Sequence, residues 1–213
     1  MADATLFGYW RSSAAYRVRI ACNLKGLEPG QQFIPLRKGE QRSAAHLARN
    51  PAGLVPVWRE GEFALSQSLA IIEYLDETHP EPKLLPGDAK RRAAIREIAL
   101  DVAADIHPIG NLRVLDALTA DFNADVAARA AWCRRWIGHG LAVIEARLRG
   151  TAGRFAVGDD VTLADICLVP QLYNARRFEL DLSPFLKAVE VDGNARMLPA
   201  FALASPENQP DAE

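Results

Sequence analysis

The pattern of hydrophobic and polar positions divides the chain near residue 84 into two parts that predict different elements. Before that point, short apolar runs typical of strands alternate with stretches of helical spacing. The expected strands lie at residues 5–10, 31–36, 55–58 and 63–66, and the expected helices at 13–24, about 43–48 and 68–78. This order predicts a small mixed sheet of four strands covered by helices.

The second part of the chain predicts helices and almost no strands. Residues 89–103 and 125–149 show the spacing of amphipathic helices, although Gly138 and Gly140 interrupt the second stretch. Residues 163–173 are more uniformly apolar, which is typical of a helix that is buried on all sides.

A proline-rich stretch at residues 80–87 separates the two parts, as a linker does. We therefore expect an α+β protein with a mixed-sheet domain at residues 1–84 and an all-helical domain at residues 89–213. The polar tail from residue 205 onward is expected to fray.

Composition and charge exclude several classes of function. The content of 49% hydrophobic and 24% charged residues is typical of globular proteins, and a net charge of −2 gives no basic field for nucleic acid. No apolar run approaches the ~20 residues of a membrane span, and the beginning of the chain does not resemble a secretory signal. Three widely spaced cysteines predict no disulfide framework, zinc site or other metal site, so the reducing cytoplasm is the expected location.

Ser12 and Ser13 lie between the first expected strand and the first expected helix, where either could cap the helix. The beginning of a helix offers unpaired N–H groups and a partial positive charge, which stabilise a thiolate or a carboxylate. The alternative is an ordinary helix cap beside solvated arginines.

Two further segments offer groups that a ligand could use. Pro56 opens an apolar run, which favours an edge strand or a cis turn that leaves the N–H and C=O of Val55 to pair with an extended peptide. A proline that simply opens a strand is the alternative. Gln67 and Ser68 begin a helix after a strand, where they could cap that helix or hold an incoming carboxylate.

Six segments along nearly the whole chain resemble the zeta class of the glutathione transferases, the family that contains maleylacetoacetate isomerase. They are SSAAYRVRIA (12–21), NPAGLVPV (50–57), QSLAIIEYLDE (67–77), DIHPIGNLRVL (105–115), GDDVTLADICLVPQ (158–171) and ARRFELDLSP (175–184). Each segment is modest alone, but six in the family's order and spacing are specific. The resemblance implies a thioredoxin-like glutathione-binding domain, an all-helical domain that contributes the substrate site, and a homodimer.

The resemblance also implies roles for individual residues. Ser12 matches the family's catalytic serine, whose hydroxyl supports the glutathione thiolate, which leaves Ser13 to cap the helix. Val55 matches the residue that pairs with the glutathione backbone, and Gln67 and Ser68 match the pair that holds its γ-glutamyl end. The implied set of glutathione contacts is completed by Ser13, Gln41, His107, Asn111 and Arg113.

Arginine suits a dicarboxylate substrate because its planar fork binds a carboxylate with two hydrogen bonds. Arg177 matches the arginine that the family uses for a substrate carboxylate, and Arg11 lies beside Ser12. A structural ion pair is the alternative for Arg177, and a satisfied buried histidine is the alternative for His107. Ala14 stands where the family often has a cysteine, which excludes any mechanism that needs a protein thiol at this position.

The implied reaction is the glutathione-dependent cis–trans isomerisation of maleylacetoacetate to fumarylacetoacetate, in the degradation of tyrosine and phenylalanine through homogentisate. Reversible addition of a thiolate makes the double bond temporarily single, so the product forms without consumption of glutathione. Three alternatives stay open: a maleylpyruvate isomerase of gentisate-type degradation, a broader conjugating transferase and, least favoured, a non-catalytic glutathione-binding protein.

Overall fold

The computed structural model describes residues 4–213 and divides the chain into two units. The first unit consists of the chain up to Leu84 together with Met197–Glu213, and the second unit is Leu85–Arg196. This division differs from the expected one at residues 1–84 and 89–213 in that Met197–Glu213 packs with the first unit.

Four strands form one mixed sheet in the first unit, which confirms the expected α+β fold. Their bounds are Ala4–Gly8 (β1), Gly30–Phe33 (β2), Val57–Glu60 (β3) and Phe63–Ser66 (β4). The spatial order is β2-β1-β3-β4, with β1 parallel to β2 and antiparallel to β3, and with β4 antiparallel to β3. Strands β1 and β2 end before their apolar runs do, at Gly8 and Phe33, and β3 begins two residues later than expected, after the Val55–Pro56 turn.

The helices of the first unit are Ser13–Leu24 (α1), Ala44–Leu47 (α2), Ser68–Thr78 (α3) and Pro199–Ala204 (α9). The bounds of α1 and α3 agree with the prediction. Helix α1 is buried over ten consecutive residues, because α3 and α9 pack against it in addition to the sheet.

The second unit is a bundle of five α-helices. The first of them continues into a π-helical segment, which a 3₁₀ turn follows. The α-helices are Ala89–Leu100 (α4), Leu112–Phe122 (α5), Val126–Thr151 (α6), Leu163–Arg177 (α7) and Leu186–Arg196 (α8). Helix α7 is the central one, since every residue from Leu163 to Leu172 is buried. It begins with a capping box in which Thr162 and Asp165 bond each other's backbone, and burial raises the pKa of Asp165 to about 6.

Two features of the second unit differ from the expected helices. Helix α4 ends at Leu100 instead of residue 103, because Asp101–Ile106 continues it as a π-helix and His107–Gly110 as a 3₁₀ turn. Helix α6 runs unbroken through both glycines. A Cβ at Gly140 would collide with the side chain of Ile106, so this glycine permits a close approach and does not break the helix.

The C-terminal segment is ordered against the first unit, so the expectation that it frays is wrong. The backbone N–H of Trp10 donates to Asp211 Oδ2 at 3.0 Å, and Arg19 donates to the carbonyl of Ala204 at 3.0 Å and to that of Trp10 at 2.9 Å. Burial lowers the pKa of Arg19 to about 10, and the charge of Asp211 opposes this effect. The polar tail sequence does not reveal this packing, because its partners lie about 200 residues earlier in the chain.

Replacement of Asp211 by Ala tests the role of the tail. The change removes a charged acceptor from the half-buried Trp10 N–H, and we expect it to cost about 1.5–3 kcal/mol and to lower Tm by roughly 3–12 °C. Thermal unfolding followed by circular dichroism measures the shift. The control is Glu213→Ala, since Glu213 only meets Arg37 at 3.5 Å on the surface and should contribute less than about 1 kcal/mol. Equal shifts for the two variants would contradict a specific role for Asp211.

Candidate active site

The register of the sheet in the first unit brings three predicted site segments to one edge. Phe7 pairs with Val57, and Val57 pairs with Ser66. The chain therefore leaves the sheet at this edge in three places: the loop before Ser12, the Val55–Pro56 turn and the start of α3. We call this end of the sheet the loop edge.

Ser12 is the N-cap of α1. Its Oγ accepts a hydrogen bond from the backbone N–H of Ala15 at 3.2 Å. Since the cap uses the serine oxygen as acceptor, the hydroxyl proton stays available to donate to a ligand. Ser13 is the first residue inside the helix and is buried, so the prediction that Ser13 caps the helix is wrong.

The beginning of α1 fits an anion but holds no thiol of its own. The first N–H groups of a helix lack intrahelical partners, and the helix dipole adds positive potential. Ala14 contributes only a methyl group, and the half-buried Arg11 lies with its guanidinium carbon 5.1 Å from the ring centroid of Trp10. Cys22, further along α1, is buried, and burial raises the pKa of its thiol to about 12. A nucleophilic thiolate at this position must therefore come from a ligand.

The turn before β3 presents an unpaired backbone. The Val55–Pro56 peptide bond is cis, as predicted, and neither the N–H nor the C=O of Val55 forms a hydrogen bond within residues 4–213. The preceding carbonyl of Leu54 accepts two hydrogen bonds, from His46 Nε2 at 3.0 Å and from Asn50 Nδ2 at 2.9 Å. His46 and Asn50 thus fix this turn. Neither is predicted from the sequence as a site residue, because their contacts with Leu54 form only in the folded loop.

The start of α3 is open to a carboxylate. Gln67 precedes the helix with φ of 74°, a conformation that costs energy for a residue with a side chain, and its side chain forms no cap within the described chain. The buried Ser68 follows, and its Oγ accepts a hydrogen bond from Arg17 Nη1 at 3.2 Å. The geometry therefore rules out that the Gln67 side chain caps α3.

Gln41 lies beside the loop that leads to the Val55–Pro56 turn. A Cβ at Gly53 would come within 3.3 Å of the Gln41 carbonyl oxygen, and Gly53 has φ of 61°, so the close approach needs a glycine. The side chain of Gln41 is buried, and its Oε1 has no hydrogen-bond partner among residues 4–213. A buried amide oxygen without a partner is costly, which favours a ligand donor at this position.

In the second unit, the predicted residues 107–113 follow the π-helical segment. His107 is half-buried in the 3₁₀ turn, and Asn111 is the N-cap of α5, where its Oδ1 accepts from the backbone N–H of Arg113 at 3.3 Å. The side chain of Arg113 is exposed in the first turn of α5.

Arg177 is the last residue of α7. Its charge acts on Cys133, which lies next to Gly110 of this segment. Its guanidinium carbon lies 4.4 Å from the ring centroid of Phe178. Its charge lowers the pKa of the Cys133 thiol, although burial raises that pKa by more, and Sγ of Cys133 lies 3.6 Å from where a Cβ of Gly110 would be. The neighbouring Arg176 instead pairs with the buried carboxylate of Asp192 at 2.6 Å. Arg176 therefore forms a structural ion pair at the end of α7.

Two features are absent from the part of the chain that the structure describes. Within residues 4–213, no group of three or more His, Cys, Asp or Glu side chains has the geometry to hold a metal ion. No helix in that range is both long enough and apolar enough to cross a membrane.

Two family models match the chain, one within each unit. Residues 6–83 match the model of "Glutathione S-transferase, N-terminal domain", and residues 133–190 match that of "Glutathione S-transferase, C-terminal domain".

Individual relatives cover almost the whole chain. A probable maleylacetoacetate isomerase of Vibrio cholerae serotype O1 is 50% identical over the full length of both chains. A maleylpyruvate isomerase of a Ralstonia species is 46% identical over 97% of this chain and 99% of its own. A solved maleylacetoacetate isomerase of Methylobacterium extorquens AM1, with bound malonate and glutathione, superposes with a TM-score of 0.95 at 37% identity, over 98% of this chain and 99% of the other.

Proposed function

Since the chain belongs to the zeta class of the glutathione transferases, the family of maleylacetoacetate isomerase, we propose that it isomerises maleylacetoacetate to fumarylacetoacetate with glutathione as cofactor. The observation that carries this proposal is the start of α1, where a serine hydroxyl and helix N–H groups can stabilise a thiolate that the chain itself does not supply. The reaction belongs to the degradation of aromatic amino acids.

Glutathione fits the loop edge of the first unit at three positions along its length. The unpaired N–H and C=O of Val55 can pair with its peptide backbone in the manner of a short antiparallel strand. The uncapped start of α3, with Gln67 and Ser68, can hold the γ-glutamyl carboxylate. Oε1 of Gln41 can accept one of its N–H groups. From the second unit we propose His107, Asn111 and Arg113 as further contacts.

Bound glutathione supplies a thiolate whose reversible addition to the conjugated double bond allows rotation, after which its expulsion restores the double bond. The chain has to keep the thiol ionised, and Ser12 does so by donating its hydroxyl proton to the sulfur. A hydrogen bond to a charged group contributes about 1.5–3 kcal/mol, which lowers a pKa by roughly one to two units. The N–H groups at the start of α1 add to this effect, with Ser13 contributing its backbone.

The substrate is a dicarboxylate, and the arginines bind it. We propose that Arg177 binds a carboxylate and that Arg11, beside Ser12, stabilises the negative charge that develops on the ketone oxygen during addition. The malonate in the related Methylobacterium structure is likewise a dicarboxylate.

Maleylpyruvate is the second candidate substrate, because a maleylpyruvate isomerase is 46% identical over nearly the whole chain. The two substrates differ only beyond the ketone. Turnover of each substrate, measured with and without glutathione, identifies the physiological one from the higher kcat/KM. Accumulation of a thioether product would instead indicate a conjugating transferase, and glutathione binding without turnover would indicate a binding protein.

Replacement of Ser12 tests how the thiol is activated. Ser12→Ala should lower kcat at neutral pH by about 10- to 100-fold, since the thiol loses its hydrogen-bond donor, and part of the loss should return at higher pH as more thiolate forms. Glutathione should be required for turnover and be recovered unchanged. The matched control is Ser13→Ala, in which kcat should stay within about threefold of the unmodified protein. Full activity of Ser12→Ala, or turnover without glutathione, would contradict the mechanism.

Arg177→Ala should raise KM for the dicarboxylate about 10- to 100-fold and leave KM for glutathione nearly unchanged, because one charge-assisted contact is lost. Arg176→Ala serves as the matched control. It should lower Tm, because the buried carboxylate of Asp192 loses the guanidinium that lies 2.6 Å away, and it should leave both KM values unchanged. If Arg177→Ala raised both KM values equally, its role would be in folding and not in substrate binding.

We further propose that the protein is a cytoplasmic homodimer. Its three cysteines are buried thiols, as is usual in a reducing compartment. The β4 edge of the sheet carries Phe63, which is 44% exposed and lies with its ring 5.1 Å from that of Tyr74. An exposed aromatic side chain on an edge strand, here packed on the half-buried Tyr74 of α3, is typical of a surface that a partner covers.

Light scattering at micromolar concentration tests this assembly. The expected mass is twice the 23.3 kDa of the single chain, and Phe63→Glu should shift it toward the monomer by placing a charge in the interface. Leu203→Glu is the matched control, because Leu203 is exposed elsewhere in the same unit. A stable monomer of the unmodified protein would overturn the proposal.

A further inference from the structure

A buried arginine lies directly behind the start of α3. Arg17, in the middle of α1, is only 1% exposed, and its Nη1 donates to Ser68 Oγ at 3.2 Å. Burial of a guanidinium costs free energy, and the hydrogen bond to Ser68 offsets part of that cost. The hydrogen bond joins α1, which presents Ser12, to α3, which presents Ser68.

The chemistry of arginine fixes the direction of this hydrogen bond. A guanidinium can only donate, so the oxygen of Ser68 is the acceptor and the serine keeps its proton. No acceptor for that proton is found among residues 4–213. The hydrogen bond from Arg17 fixes the position of the serine oxygen and leaves its proton for another acceptor.

The two buried arginines of α1 differ in what they touch. Arg19 donates to three backbone carbonyls, those of Tyr9, Trp10 and Ala204, and thereby holds the polypeptide together. Arg17 instead reaches a side chain that is a predicted ligand contact. Its charge, in surroundings of low dielectric, also strengthens the donor character of the hydroxyl it bonds.

We propose that Arg17 is a positioning residue for glutathione binding: it orients the Ser68 hydroxyl toward the α-carboxylate of the γ-glutamyl group and supports that carboxylate with its charge. This inference rests on the proposed function, because it assumes that glutathione binds at the start of α3. Arg17 does not touch the thiol or the substrate, so its effect is on glutathione binding and not on the chemical step.

The test compares two ligands by calorimetry. One is glutathione, and the other is 4-aminobutyryl-Cys-Gly, which lacks only the α-carboxylate. Arg17→Lys and Ser68→Ala should each weaken glutathione binding about tenfold and change binding of the analogue by less than about twofold. The double variant should bind glutathione no more weakly than the weaker single variant, because both changes remove one shared interaction.

Arg19→Lys is the matched control, since it alters an equally buried arginine of the same helix. It should lower Tm without a selective loss of glutathione over the analogue. Equal losses for both ligands in Arg17→Lys, or losses that multiply in the double variant, would overturn the positioning role.

A measurement on the unmodified protein covers the case in which the Arg17 variants do not fold. The side-chain N–H resonances of Arg17, observed by NMR, should shift when glutathione is added and stay unchanged when the analogue is added, while those of Arg19 respond to neither. Failure of the unmodified protein to bind glutathione would overturn the proposed function. Binding of glutathione in preference to the analogue, without any response of Arg17, would overturn this inference alone.

Discussion

The hydrogen bonds of Arg19 hold the loop from which α1 begins, and the geometry of the loop edge depends on them. Helix α1 is buried along ten residues, so its axis is fixed by packing, but packing alone does not determine where the preceding loop runs. Arg19 ties that loop to α9 through the carbonyls of Trp10 and Ala204, and Asp211 accepts the N–H of Trp10. The two ends of the chain therefore set the position of the first turn of α1 together.

The two serines that face the proposed ligand share one arrangement. Ser12 accepts from the backbone N–H of Ala15, and Ser68 accepts from the buried guanidinium of Arg17. In both cases a protein donor uses the oxygen as acceptor, so the hydroxyl proton stays available to donate to a ligand. Glutathione is anionic at both of these positions, at its thiolate and at its γ-glutamyl carboxylate. The absence of a cysteine at position 14 is consistent with this design, because the chain supplies donors and the ligand supplies the nucleophile.

Local signals explain which parts of this structure could be predicted from the sequence. The bounds of α1 and α3 are predictable because a polar residue precedes an apolar repeat in each, and a proline that opens an apolar run indicates the cis turn at Pro56. The tail was misjudged because its polarity suggests solvent, whereas its partners lie at the other end of the chain. The cap was assigned to the wrong serine because adjacent serines give the same local signal. His46 does not show itself as a site residue in the sequence, because its burial is a property of the packed fold.

Adjacent residues on a helix project about 100° apart, so the two arginines that end α7 serve different surroundings. Arg176 turns toward α8, where it neutralises the buried Asp192, and Arg177 turns toward Phe178 and Cys133. Gly110, in the 107–113 segment, lies next to the thiol of Cys133. Within the second unit, Cys133 thus connects this segment with the charge of Arg177, while the neighbouring Arg176 holds the bundle together through Asp192.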